Sequence, residues 1–327
     1  MRRPVTVKRG LGMTVTEAVS QFLFHCRYEK NLSPKTLKAY SIDLRQFSEH
    51  LATHLSIAAL AHIDKTALRH YIKSLFGELA EKSVKRKVAS LKALFHFLER
   101  EDVITLNPFR KMDVRIRETR RLPRTIALAD LKRLFRHLYR AKRASPDLES
   151  RDHRALVRDI AVLETLFATG ARVAEICQLK REDVDLRRGR VRVLGKGARE
   201  RVLPLPDQEA LAALHDYRAL CPDDASGHFF HNRLGRRLSE QSVRAMLRRR
   251  ASEAGLTLHI TPHMLRHSVA TLLLEQGVDI RYIQHFLGHS SIVTTQIYTE
   301  VQDHSCDRIL ATRHPRKLLR GSQVSQD

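Results

Sequence analysis

Thr261-Pro262-His263-Met264-Leu265-Arg266-His267 reads as the start of a helix with cations built into its first turns. Thr261 can accept the amide hydrogen bond of an N-cap. Pro262 suits the first helical position, where its missing N–H would be unpaired anyway. His263 and Arg266 then fall one turn apart at the head of a helix predicted over Pro262–Glu275. A helix N-terminus already offers unpaired N–H groups and a positive dipole end, so an Arg and a His added there suit a phosphate oxyanion. A capped surface helix with ordinary basic residues is the competing reading of this stretch alone.

Outward from it the pattern stays helical. On the C-terminal side, helices are predicted over Ile280–Leu287 and Ser291–Tyr298. Between them Gly288 stops one helix and His289 sits at the junction, while Tyr298 falls about two turns into the next. On the N-terminal side, helices are predicted over about Asp207–Leu220 and Ser239–Ala254, the second carrying Arg244, Arg248, Arg249 and Arg250. These four arginines are expected to meet phosphates, with a solvated helix face as the alternative. The only convincing β signal is a hairpin, Val191–Leu194 and Arg201–Leu203, around the turn Gly195-Lys196-Gly197. That turn is not a P-loop: no glycine stands five positions before Gly195, and Gly197 replaces the required Ser or Thr.

Further upstream, helical stretches are predicted over Leu128–Arg140 and Arg154–Ala168, the latter stopped by Thr169-Gly170. Another short helix opens at Arg172, with Glu175 one turn later. A carboxylate so placed can hold a guanidinium in a fixed bidentate orientation, or the two can form a helix-start ion pair of little worth.

The first hundred residues give four amphipathic helices. Val15, Ala18, Val19, Phe22 and Cys26 make one apolar stripe. Ser33-Pro34 opens the second helix, the third opens after Asp64, and the fourth spans about Lys82–Glu101 with Val84, Val88, Leu91, Phe95 and Leu98 on one side. Asn107-Pro108 then breaks the pattern. The following stretch carries Arg115, Arg117, Arg120 and Arg121 with few apolar anchors. It reads as a basic linker, either a solvated connector or a strap along a phosphate backbone. The expected organisation is therefore a basic leader (1–13), a helical domain (14–106), a linker (107–124), a second domain (125–310) and a tail (311–327).

Composition narrows the partner. The 327 residues include 59 Lys and Arg against 36 Asp and Glu, a formal charge of +23. Such an excess repels itself and is best explained by a polyanion, so nucleic acid leads over acidic small ligands or anionic membranes. Cys26, Cys177, Cys221 and Cys306 are widely spaced, which fits a reducing compartment rather than a disulfide framework or a cysteine-rich zinc site. No secretory h-region and no run of about 18 apolar residues is present, so a soluble, cytoplasmic protein is expected. Two His-x-x-x-His pairs, at 263/267 and 285/289, lack the Glu of a metalloprotease motif. No metal and no cofactor is expected.

Taken together, Thr169-Gly-Ala-Arg172, the hairpin Lys196, His263-x-x-Arg266-His267, Leu287-Gly-His289 and Thr294-Thr-Gln-Ile-Tyr298 resemble the tyrosine recombinase (phage integrase) family, most closely its Xer-like members. Five elements in the family's order over about Thr14–Arg316 are specific where each alone is weak. Ala171 and Ser268-Val269 depart mildly from the family pattern without touching its chemistry.

The resemblance implies a mainly α fold with a small β-hairpin or sheet. It implies a two-domain, C-shaped clamp: an all-helical, SAM-like core-binding domain followed by an α-rich catalytic domain. It implies that Tyr298 attacks a scissile DNA phosphate to give a 3′-phosphotyrosine, with Arg172, Arg266 and His289 on the non-bridging oxygens. His263 would accept the phenolic proton, Lys196 would protonate the leaving 5′-oxygen, and Glu175 would orient Arg172. Duplex DNA is the implied partner, held by a homotetramer or by a heterotetramer with a second recombinase. Segment 303–317 would dock on a neighbouring protomer or, equally, on its own chain. A non-cleaving DNA-binding regulator and a type IB topoisomerase are the alternatives on the same scaffold.

Overall fold

A computed structural model describes residues 12–117, 124–195, 200–220, 227–288 and 309–322. The chain divides into two compact units, Met1–Arg121 and Leu122–Asp327.

The first unit is built on helix caps that the sequence spells out. Helix α1 (Val15–Phe24) opens with a capping box: the Glu17 amide donates to Thr14 Oγ1 at 3.2 Å, and the Thr14 amide to Glu17 Oε2 at 2.8 Å. One turn of π-helix (His25–Glu29), absent from the sequence reading, continues it and buries His25 and Cys26. Ser33 caps α2 (Pro34–Leu55) and Asp64 caps α3 (Lys65–Leu75). Helix α4 (Glu81–Arg100) turns Val84, Val88, Leu91, Phe95 and Leu98 inward, where they meet Val15, Ala18 and Phe22 of α1 in one core.

Residues 107–117 differ from a connector without anchors. Asn107 Oδ1 accepts the Phe109 amide at 2.9 Å and starts a 3-10 turn, and Phe109 is buried. Met112, Val114 and Ile116 then pack on the first unit's core while Asp113, Arg115 and Arg117 point outward. The physical reason is a two-residue apolar period hidden among the arginines, which belongs to extended chain.

The second unit surrounds α6 (Arg151–Thr169), which is buried on nearly every side. It starts three residues before the expected Arg154 because Ser150 accepts the His153 amide as its N-cap. Around it lie α5 (Leu128–Arg143), α7 (Val173–Gln178), α8 (Gln208–Leu220), α9 (Glu240–Glu253), α10 (Pro262–Glu275) and α11 (Ile280–Leu287). The predicted hairpin is β2 (Arg190–Leu194) with β3 (Glu200–Pro204), antiparallel, pairing Val191 with Leu203 and Val193 with Arg201. A two-residue strand, β1 (Val184–Asp185), pairs with β2 to complete the sheet and is too short to show a period in sequence.

The predicted helix over Ser291–Tyr298 lies outside the described residues. Beyond it, the stretch expected as a tail is largely interior: His314, Arg316 and Leu319 are buried. Residues 315–322 pack against α5 and α10 of their own chain. Arg316 forks onto the fully buried Glu164, with Nε to Oε2 and Nη2 to Oε1 both at 2.8 Å. Tyr139 adds its hydroxyl to Glu164 Oε1 at 2.7 Å. Residues 303–308 of the segment expected to dock lie outside the described residues. Among the described residues no helix is long and apolar enough to cross a membrane.

Candidate active site

Three chain breaks converge in the second unit. The first is the end of α6 at Gly170, which adopts φ +57°. A Cβ there would lie 2.6 Å from Leu287 Cδ2, so only glycine lets α6 meet the end of α11 this closely. The second is the start of α7 at Arg172, whose amide donates to Glu175 Oε2 at 2.8 Å. The third is Gly288, at φ +66°, where α11 stops.

Arg266 ties these breaks together. Thr261 caps α10 through the Met264 amide (3.2 Å) and Pro262 occupies its first turn, which places Arg266 one turn further in. Its guanidinium is buried and donates from Nη1 to the Gly170 carbonyl at 2.7 Å and from Nη2 to the Leu287 carbonyl at 2.6 Å. Arg172 reaches the same place from α7, with Nη2 donating to the Gly288 carbonyl at 3.2 Å and Nη1 to Glu175 Oε1 at 3.0 Å. Carbonyls at a helix C-terminus are unpaired and carry the negative end of the dipole, so two cations gather there at reduced repulsive cost.

Glu175 is the only carboxylate hydrogen-bonded to these arginines among the described residues. Burial alone would raise its pKa. Hydrogen bonds from Arg201 foremost, then from the Arg172 amide and side chain, hold it below the usual carboxylate range. Arg266 has the opposite problem: burial first, and then the charge of Arg172, push its pKa down to about 10. The site concentrates more positive charge than its counter-ion balances.

Arg201 was not among the residues singled out from sequence. It donates to both Glu175 oxygens, Nη1 to Oε1 at 3.0 Å and Nη2 to Oε2 at 2.8 Å. A signal existed: along a strand, residues two apart share a face, and Arg201 has the parity of the buried Leu203 while Val202 is exposed.

The remaining candidates divide. His263 lies exposed on the first turn of α10, one turn before Arg266. Lys196, His289 and Tyr298 lie outside the described residues, as do Arg120, Arg121, Cys221 and Cys306. Arg115 is exposed and pairs with Asp113 at 3.0 Å, and Arg117 is exposed beside it. On α9, Arg244 pairs with Glu240 at 2.6 Å, and Arg248 is exposed. The other two α9 arginines both pair with a buried acid. Arg249 donates to Asp159 Oδ2 at 2.9 Å, and Arg250 to the same oxygen at 2.7 Å and to Glu253 at 2.9 Å. Asp159 lies on α6 and is buried; Arg250 is largely covered beside it, while Arg249 reaches it from the surface and stays more than half exposed.

Comparisons with known proteins identify the family. The pattern of the phage integrase family matches residues 144–305, and that of the phage integrase N-terminal SAM-like domain matches residues 19–102. A tyrosine recombinase from Agathobacter rectalis is 42% identical over 91% of this chain and 96% of its own length. Tyrosine recombinase XerC from Halalkalibacterium halodurans is 35% identical over 91% of this chain and 97% of its own. Among solved structures, a lambda integrase tetramer bound to a Holliday junction has the same fold, with a TM-score of 0.66 at 19% identity over 89% of this chain and 81% of that one. With relatives this similar along nearly their whole length, the chain belongs to the phage integrase family and is a tyrosine-type site-specific recombinase.

Proposed function

We propose that the chain cuts and rejoins duplex DNA at a specific site by forming a 3′-phosphotyrosine on Tyr298. One observation carries this reading: the Arg172 and Arg266 guanidiniums converge on the end of α11, and among the described residues Glu175 is the one carboxylate bonded to either. A phenol has a pKa of about 10 and attacks a phosphodiester only where charge developing on the phosphate is stabilised. In the proposed step the Tyr298 oxygen bonds to phosphorus and the bond from phosphorus to the 5′-oxygen breaks. His263 takes the phenolic proton, and Lys196 gives a proton to the departing oxygen. Arg172, Arg266 and His289 hold the non-bridging oxygens. The covalent intermediate conserves the phosphodiester, so rejoining to another strand needs no energy source and no cofactor.

The outward-facing cations suit the same substrate. Arg115, Arg117, Arg244 and Arg248 are exposed; these four, together with Arg120 and Arg121, are proposed to contact the DNA backbone. The exposed Arg249 is proposed to contact the backbone as well, and Arg250 to support that surface through Asp159. By analogy with the lambda integrase tetramer on a Holliday junction, four copies of this chain, or two with a partner recombinase, would act on two sites.

The test uses a labelled, nicked duplex selected from a random-sequence pool by binding to the wild-type protein. Wild type is expected to give a denaturant-resistant protein–DNA adduct. Tyr298→Phe is expected to bind the duplex equally well and to give none. An adduct persisting in that variant would move the nucleophile elsewhere, and binding without any adduct in wild type would make the chain a regulator rather than a cutting enzyme.

A further inference from the structure

We propose that Arg201 is a positioning residue of this site: it neutralises Glu175, so that the charges of Arg172 and Arg266 remain unspent for the phosphate. It also fixes the β3 strand against the end of α11.

The electrostatic half follows from how Glu175 is shared. Each of its oxygens accepts once from Arg172 and once from Arg201: Oε1 from the two Nη1 groups, both at 3.0 Å, and Oε2 from the Arg172 amide and Arg201 Nη2, both at 2.8 Å. A carboxylate and Arg172 alone would make a closed neutral pair. Such a pair holds geometry but offers little net charge to an arriving anion. With Arg201 present, Glu175 keeps its orienting bonds to Arg172 while its charge is cancelled from the other side. The fork of Arg201 matches the carboxylate on both oxygens, which a lysine cannot reproduce.

The mechanical half follows from Gly288. A Cβ on that residue would lie 3.0 Å from both Cζ and Nε of Arg201 and 3.2 Å from its Cδ. The Arg201 side chain therefore lies close against the glycine whose carbonyl accepts from Arg172. Among the described residues, Arg201 Nε is buried without an acceptor, so contact with Gly288 is kept at the expense of a hydrogen bond. In sequence, β3 follows the turn that carries Lys196, and Gly288 precedes His289. One side chain thus joins the strand after the lysine turn, the start of α7 and the end of α11.

This inference rests on the function proposed above. Its test uses Arg201→Gln and Arg201→Lys with two versions of the selected duplex, one natural and one with a methylphosphonate at the scissile position. The second lacks the negative charge that surplus cations would stabilise. On the natural duplex, Arg201→Gln is expected to form adduct about 10²-fold more slowly than wild type, the usual loss for one preorganised electrostatic contribution. Affinity for uncleaved duplex is expected to stay within about threefold, because contacts along the backbone dominate it. On the methylphosphonate most of the loss should disappear, and Arg201→Lys should fall between the two on the natural duplex. Equal slowing of Arg201→Gln on both duplexes would mean a merely structural arginine and would overturn the proposal. So would wild-type rates on the natural duplex. Failure of wild type to form any adduct would instead remove the function on which the inference stands.

Discussion

Two buried carboxylates in the second unit gather arginines, and they do so to opposite effect. Asp159 accepts from Arg158 on Oδ1 at 2.8 Å and from Arg249 and Arg250 on Oδ2 at 2.9 and 2.7 Å. Glu253 takes a further donor of Arg250, and only 12% of the Arg250 side chain is exposed. There the guanidinium donors end on acids, and α6 is tied to α9. Around Glu175 the excess of cations is larger. One carboxylate serves Arg172 and Arg201, while the buried Arg266 ends on two neutral carbonyls. Surplus buried charge is costly to a fold, and the depressed pKa of Arg266 is one sign of that cost. Such an arrangement suits an arriving anion, whereas the more nearly balanced Asp159 cluster has less need of one.

The contrast can be pressed at its closed extreme. Glu164 and Arg316 are a one-to-one pair, both buried. Arg316→Ala leaves an uncompensated acid in the interior and should cost about 3–5 kcal/mol of stability, read from denaturant or thermal unfolding. A loss below about 1 kcal/mol, the range of exposed pairs, would break the distinction between closed and open clusters. A smaller effect sharpens it from the other side. Gly288→Ala forces a side chain into a left-handed conformation, at about 1–2 kcal/mol, and presses its Cβ against Arg201. Its adduct formation should fall further than its stability explains. Wild-type adduct kinetics in this variant would detach Arg201 from the site.

What the sequence revealed and what it hid follow the same division. Caps are local chemistry between a side chain and the amides just after it, so Ser33-Pro34, Asp64 and Thr261-Pro262 could be read directly. The stripes of α1 and α4 could be read because a 3.6-residue period is also local. The pairing of Arg249 and Arg250 with Asp159 could not be read from sequence. Their partner Asp159 lies some ninety residues earlier in the chain, and only tertiary packing brings it near. Arg172 and Arg266 were found through motif resemblance, yet their shared use of the α11 carbonyls was not visible in any one stretch. Arg201 was hidden differently: strand parity put it on the buried face, but a charged residue there does not announce itself without its carboxylate. The apolar alternation of Met112, Val114 and Ile116 was masked by the arginines between them.

The central claim is that the open cluster acts on the phosphate while the balanced one holds the fold. It is tested most directly by single-turnover adduct formation on the selected duplex for Arg172→Ala beside Arg249→Ala. Arg172→Ala should slow the reaction about 10²–10³-fold, the loss expected for one preorganised donor. Arg249→Ala, more than half exposed, should leave the rate near that of wild type. Equal losses in the two variants, or a larger loss at Arg249, would contradict the account.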